Sequence, residues 1–122
     1  MYRMKYIDEL LGYLWLRKDV TGIDADIYVD DCDSYIRDGH EPLLFVVNGV
    51  CSGDISDFIP VSLSEEPNIL DNSIDIKLSD GVIDDVFLFI KKNRTLLMSF
   101  SSGKVNVIEF FKIIRQNKIK HI

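Results

Sequence analysis

Long apolar runs are missing from this chain. No segment approaches the ~20 apolar residues of a membrane-crossing helix, so an integral membrane protein of the helical kind is not expected. The first residues carry charge at Arg3, Lys5, Asp8 and Glu9, where a secretory signal needs an apolar stretch of about 7–15 residues. A cytoplasmic location is the expectation. Cysteine is scarce too: Cys32 and Cys51 lie 19 residues apart with only His40 between them. That spacing excludes a zinc-finger-like ligand set, and in a reducing compartment two free thiols are favoured over a bridge. With 3 Pro and 7 Gly among 122 residues, the chain has neither a low-complexity composition nor a collagen-like one. No glycine-rich phosphate loop, dinucleotide fingerprint or Gly-x-Ser-x-Gly elbow occurs, so no cofactor is expected.

What is present fits one folded domain over residues 1–122, 47% hydrophobic and 28% charged. Such a length buries roughly two-thirds of the surface that the unfolded chain exposes. The most informative stretch is Glu41-Pro42-Leu43-Leu44-Phe45-Val46-Val47-Asn48-Gly49. Five apolar residues, rich in aromatic and β-branched types, run between a proline and an Asn-Gly pair. That is the pattern of a strand buried on both faces.

Around this strand the periodicities change in a definite order. Ile7, Leu10, Leu11 and Leu14 follow the i, i+3, i+4, i+7 rule, which predicts an N-terminal amphipathic helix over residues 5–17. Tyr6, Tyr13, Trp15 and Leu16 widen its apolar surface, either against a sheet or toward a partner or dimer interface. Turn chemistry at Asp19-Val20-Thr21-Gly22 leads into the alternation from Ile23 to Asp30. There Ile23, Ala25, Ile27 and Val29 face one way, and Asp24, Asp26, Tyr28 and Asp30 the other, predicting a half-buried strand with a solvated acidic face. A short strand at Ser34–Arg37, a strand at Asp57–Leu63 and a further strand at Ile74–Leu78 complete the β pattern. Pro60 places the Asp57–Leu63 strand at an edge or a bulge.

Helical periodicity then takes over. Ser79 reads as an N-cap before a stripe of Val82, Ile83, Val86, Phe87, Ile90, Leu97 and Met98, with Lys91 to Arg94 as a bend or an exposed side. Gly103 closes the segment as a cap glycine. Asn106 and Glu109 form an N-cap box before a last helix from Val107 to about Asn117, with Ile108, Phe111, Ile114 and Arg115 in its stripe. The fold class is therefore α+β: an N-terminal helix, an antiparallel sheet of 4–5 strands, and two C-terminal helices packed on one sheet face.

Charge is segregated along the chain. The formal net charge is -6, made of +2 over residues 1–18, -15 over residues 19–90 and +7 over residues 91–122. Asp24, Asp26, Asp30, Asp31, Asp33, Asp38, Glu41 and His40 crowd one segment. A calcium loop from Asp30 to Glu41 fails, because its sixth position, which needs glycine, holds Tyr35. A looser Mg²⁺- or Mn²⁺-type site would use Asp30, Asp31, Asp33 and His40, and a Cys/His pair would use Cys51 and His40. Both compete with the plainer reading of a solvated strand face and acidic turns. Lys112, Arg115, Lys118 and Lys120 offer phosphate contacts. The acidic total and the lack of interleaved aromatics argue against nucleic acid. These cations serve instead to neutralise the acidic sheet within one domain or across a homodimer.

The residues Ile27-Tyr28-Val29-Asp30-Asp31, His40-Glu41-Pro42 and Phe58-Ile59-Pro60, followed by two helices, resemble a type of small uncharacterised bacterial α+β domain. The likeness covers residues 20–115. It implies a fold of this order and a protein partner of the toxin–antitoxin or immunity kind. Such relatives carry a second histidine in the turn where this chain has none, which counts against a metal. Together these readings point to a non-catalytic interaction protein that presents Asp24, Asp26, Tyr28, Asp30, Asp31 and Asp33 to a protein partner, a basic one by charge. The alternative is a metal-dependent hydrolase built on the Asp/His cluster.

Overall fold

A computed structural model describes residues 13–30, 43–48, 58–70 and 75–119. Strands β1 (Tyr13–Leu16), β2 (Ile27–Asp30), β3 (Leu43–Val47) and β4 (Phe58–Ser62) form an antiparallel sheet in the order β1-β2-β3-β4. A single turn, α1 (Lys18–Thr21), joins β1 to β2. Helices α2 (Asp80–Ser101) and α3 (Val107–Gln116) follow the sheet. The class is α+β.

β3 occupies an interior position and all five of its residues are buried. Leu44 and Val46 belong to a large apolar cluster with Leu16, Ile27, Val29, Ile59 and Val61 from the other strands. The same cluster takes Val86, Phe89, Ile90 and Leu97 from α2, and Phe110 and Ile114 from α3. Leu43, Phe45 and Val47 point to the opposite face and join Phe58 in a second cluster, with Tyr28 and Leu70 packed against it. β4 is an outer strand, as Pro60 requires. The Pro60 carbonyl accepts from Leu70 N–H at 3.0 Å on the side away from β3. In an antiparallel strand a residue's N–H and C=O point the same way, so the N–H that proline lacks would have faced outward and no ladder bond is lost.

Three expected elements differ. Residues 13–16, assigned above to an N-terminal helix, form strand β1, and residues 1–12 of that expected helix lie outside the described residues. After Gly12 the period is two: Leu14 and Leu16 pack with the large cluster, while Trp15 stands opposite Tyr28. Pairing with β2 overrides the helical spacing. The second strand begins at Ile27 rather than Ile23, because its partner β1 ends at Leu16 and the chain turns into α1. Residues 75–79 are not a strand; there Lys77 N–H donates to the side-chain oxygen of buried Asn48 at 2.8 Å, and Asn48 Nδ2 donates to the Asp75 carbonyl at 2.8 Å. The Ser34–Arg37 strand lies outside the described residues.

The helix ends follow their capping residues. Ser79 Oγ accepts from Val82 N–H and Asn106 Oδ1 from Glu109 N–H. At the end of α2, Lys104 N–H reaches Ser99 O and Gly103 N–H reaches Phe100 O, with Gly103 at φ 79°. This paired arrangement is a Schellman motif. α2 runs unbroken through Lys91 to Arg94, and Asn93 points inward, only 2% exposed. Its amide donates to Phe89 O at 3.0 Å and its oxygen accepts from Asn117 Nδ2 at 2.8 Å, tying the middle of α2 to the end of α3. In α3 the inward residues are Phe110 and Ile114, with Phe110 stacked on Phe100 at 4.4 Å. The expected stripe is thus displaced, and Ile108 is exposed.

The chain closes on itself at Gly22. Ile119 N–H donates to Thr21 O at 2.8 Å, and a Cβ on Gly22 would stand 1.9 Å from Ile119 O. Gly22 also has φ 78°, a conformation that costs other residues about 1–2 kcal/mol. Gly22→Ala should therefore lower stability in urea denaturation by about 2 kcal/mol or more. Gly81→Ala, at a helical site with nothing closer than Ser79 Oγ at 3.9 Å, should leave stability unchanged or raise it by up to ~1 kcal/mol.

Candidate protein-interaction surface

Among the described residues, the exposed aromatic of the sheet is Trp15. Register sets Trp15 against Tyr28, Tyr28 against Phe45 and Phe45 against Pro60, so one row of side chains crosses all four strands on the face away from the large cluster. Trp15 and Tyr28 stack with centroids 6.3 Å apart and planes 16° apart, and Tyr28 meets Phe58 edge-on at 6.1 Å. Burial decreases along the row: Phe45 is buried, Tyr28 half-buried, and Trp15, on the outer strand, 46% exposed. Just beyond β1, the Arg17 guanidinium lies 5.7 Å from the Trp15 ring centre. A tryptophan, a tyrosine and an arginine thus form one stack at the sheet margin. These are the residue types that dominate binding energy at protein interfaces.

Carboxylates pair with the two cations that follow β1. Asp24 pairs with Lys18 at 3.2 Å and Asp19 with Arg17 at 3.5 Å, and all four side chains are more than half exposed. Exposed pairs of this kind contribute roughly 0–1 kcal/mol, so both carboxylates are only loosely held. Asp26 is half-buried, and its carbonyl accepts from Val47 N–H at 2.9 Å.

The residues expected to form a binding face are therefore distributed over different environments. Asp24 and Asp26 lie in the bend before β2, Tyr28 lies within the aromatic row, and Asp30 ends β2 opposite Tyr13. Asp31, Asp33, His40 and Cys51 lie outside the described residues. Among the described residues no three His, Cys, Asp or Glu side chains gather as metal ligands would, and no helix is long and apolar enough to cross a membrane. Arg17 is the participant that the sequence reading omitted. The Trp15-x-Arg17 spacing, which puts both on one side of an extended chain, is the signal that would have found it.

The chain matches no protein-family model, no curated protein and no solved structure.

The two aromatics of the stack carry different structural weight. Trp15→Ala should cost about 1 kcal/mol or less in thermal or urea denaturation, since it loses one stacking contact and little burial. Tyr28→Ala should cost about 2–4 kcal/mol, because it opens a gap beside Phe58 and Phe45.

Proposed function

We propose that this protein is a non-catalytic interaction module that binds a basic protein partner at the sheet margin formed by Trp15, Arg17, Tyr28, Asp24 and Asp26. The observation that carries this reading is the Trp15–Tyr28 stack, anchored in a buried aromatic row at one end and open to solvent at the other. An anchored ring loses little side-chain entropy when a partner covers it, which is what makes such rings effective contacts. The surrounding carboxylates select for a cationic partner and raise its encounter rate. A narrower form of the proposal is an antitoxin or immunity protein whose acidic surface blocks a basic toxin, with the chain's carboxylates standing where the toxin would meet nucleic acid phosphates.

Trp15 is the only tryptophan of the chain, so its fluorescence reports on the proposed site alone. Titration with tryptophan-free oligolysine at about 20 mM ionic strength should change its emission saturably, and about 0.5 M salt should weaken the effect at least tenfold. Asp24→Lys combined with Asp26→Lys should weaken it by about tenfold while leaving the melting temperature nearly unchanged. Emission that ignores the peptide, or a response indifferent to salt and to the charge reversal, would exclude an electrostatic partner site here.

A further inference from the structure

The outward side of α2 carries a pattern that the interaction surface on β1 does not use. Asp84, Leu88 and Lys92 follow one another at four-residue spacing, and all three are exposed, Leu88 by 51%. Half-buried Asp85 and exposed Lys91 flank them, and exposed Gly81 and Thr95 extend the same side. At 3.6 residues per turn these seven positions fall within about 120° of arc, with Leu88 at its midpoint.

The stripe is acidic on the N-terminal side of Leu88 and basic on the C-terminal side. Rotated by 180° about Leu88, it becomes its own complement. A second α2 laid antiparallel against the first, with the two Leu88 side chains in contact at the axis, sets residue 88+n of one helix level with residue 88-n of the other on the opposite margin of the seam. Asp84 of each helix then lies beside Lys91 of the other on its own margin and faces Lys92 of the other across the seam, each twice. Within one chain Asp84 and Lys92 are about 12 Å apart along the helix, with Leu88 between them, and no ion pair joins them. Lys91 touches Glu66 only at 3.7 Å between exposed side chains, a contact weak enough to exchange.

We propose that the protein self-associates through α2 as a twofold antiparallel pair centred on Leu88. A twofold interface uses the same patch on both subunits and must be self-complementary, and a stripe whose charge reverses sign about a central apolar residue satisfies that requirement. An unrelated partner would need to supply the same reversal by coincidence. Four helical turns bury well under the ~1,200 Å² of a standard interface, so the dimer is weak, with a Kd on the order of tens of micromolar. The contact involves no residue of the Trp15 surface, so a dimer would present two such surfaces at once.

Sedimentation equilibrium on the full chain tests this. The wild type should dimerise between about 10 and 500 µM at low ionic strength, and about 0.5 M salt should weaken association several-fold. Asp84→Lys alone sets two lysines against each other and Lys92→Asp alone two aspartates, and each should raise Kd at least about tenfold. The double variant Asp84→Lys, Lys92→Asp restores opposite charges and should return Kd to within about threefold of wild type. Leu88→Lys, an exposed site that leaves the fold intact, should abolish the dimer. A wild type that stays monomeric at 500 µM overturns the proposal. So does a dimer indifferent to the single reversals, or a double variant as weak as either single one.

Discussion

Burial of β3 on both faces is the constraint on which the structure depends. Its five residues alternate between two apolar clusters, with Leu44 and Val46 in one and Leu43, Phe45 and Val47 in the other. A strand apolar on both sides has to sit inside a sheet with material above and below it. That requirement places β2 and β4 on its flanks. It also places an apolar row on each face, one continuous with α2 and α3 and the other with Tyr28 and Phe58. The exposed end of the second row is Trp15, so the proposed binding surface is the margin of a layer whose interior is needed for folding.

The parts of this arrangement that were legible in the sequence are those whose signals are local. Five successive apolar residues identify β3 without reference to any partner, and the missing N–H of Pro60 restricts β4 to the outside of the sheet. Ser79 and Asn106 each satisfy an orphan N–H within three residues, and Gly103 supplies a left-handed cap. What was not legible depends on pairing across distance. β1 is a strand because β2 lies beside it, and the spacing of Ile7, Leu10, Leu11 and Leu14 carries no information about that neighbour. The extent of β2 is set in the same way, by where β1 stops. Ile23 and Ala25 keep the inward positions that their alternation implied, yet Asp24 and Asp26 precede the strand instead of lining it. The acidic positions were therefore readable one by one, and the stack of Trp15 with Tyr28 and Arg17 was not.

The cations of the last third of the sequence fall largely on the two C-terminal helices. The second half of α2 and all of α3 carry Lys91, Lys92, Arg94, Lys112 and Arg115 against the single acid Glu109. Of these cations, Lys91 reaches a carboxylate, Arg94 donates to the Leu63 carbonyl at 3.2 Å, and Arg115 lies 6.0 Å from the Phe111 ring centre. Neutralisation of the sheet by the helices is therefore sparse among the described residues.

The contact between Gly22 and Ile119 has a consequence for synthesis. It joins the first turn after β1 to the end of α3, so the loop it closes holds β2, β3, β4, α2 and α3. Translation adds residues one at a time, and α1 cannot meet its partner until Ile119 has left the ribosome. The early hairpin of β1 and β2 must wait through most of elongation with that side uncovered, and the native state is reached only after release of nearly the entire described chain.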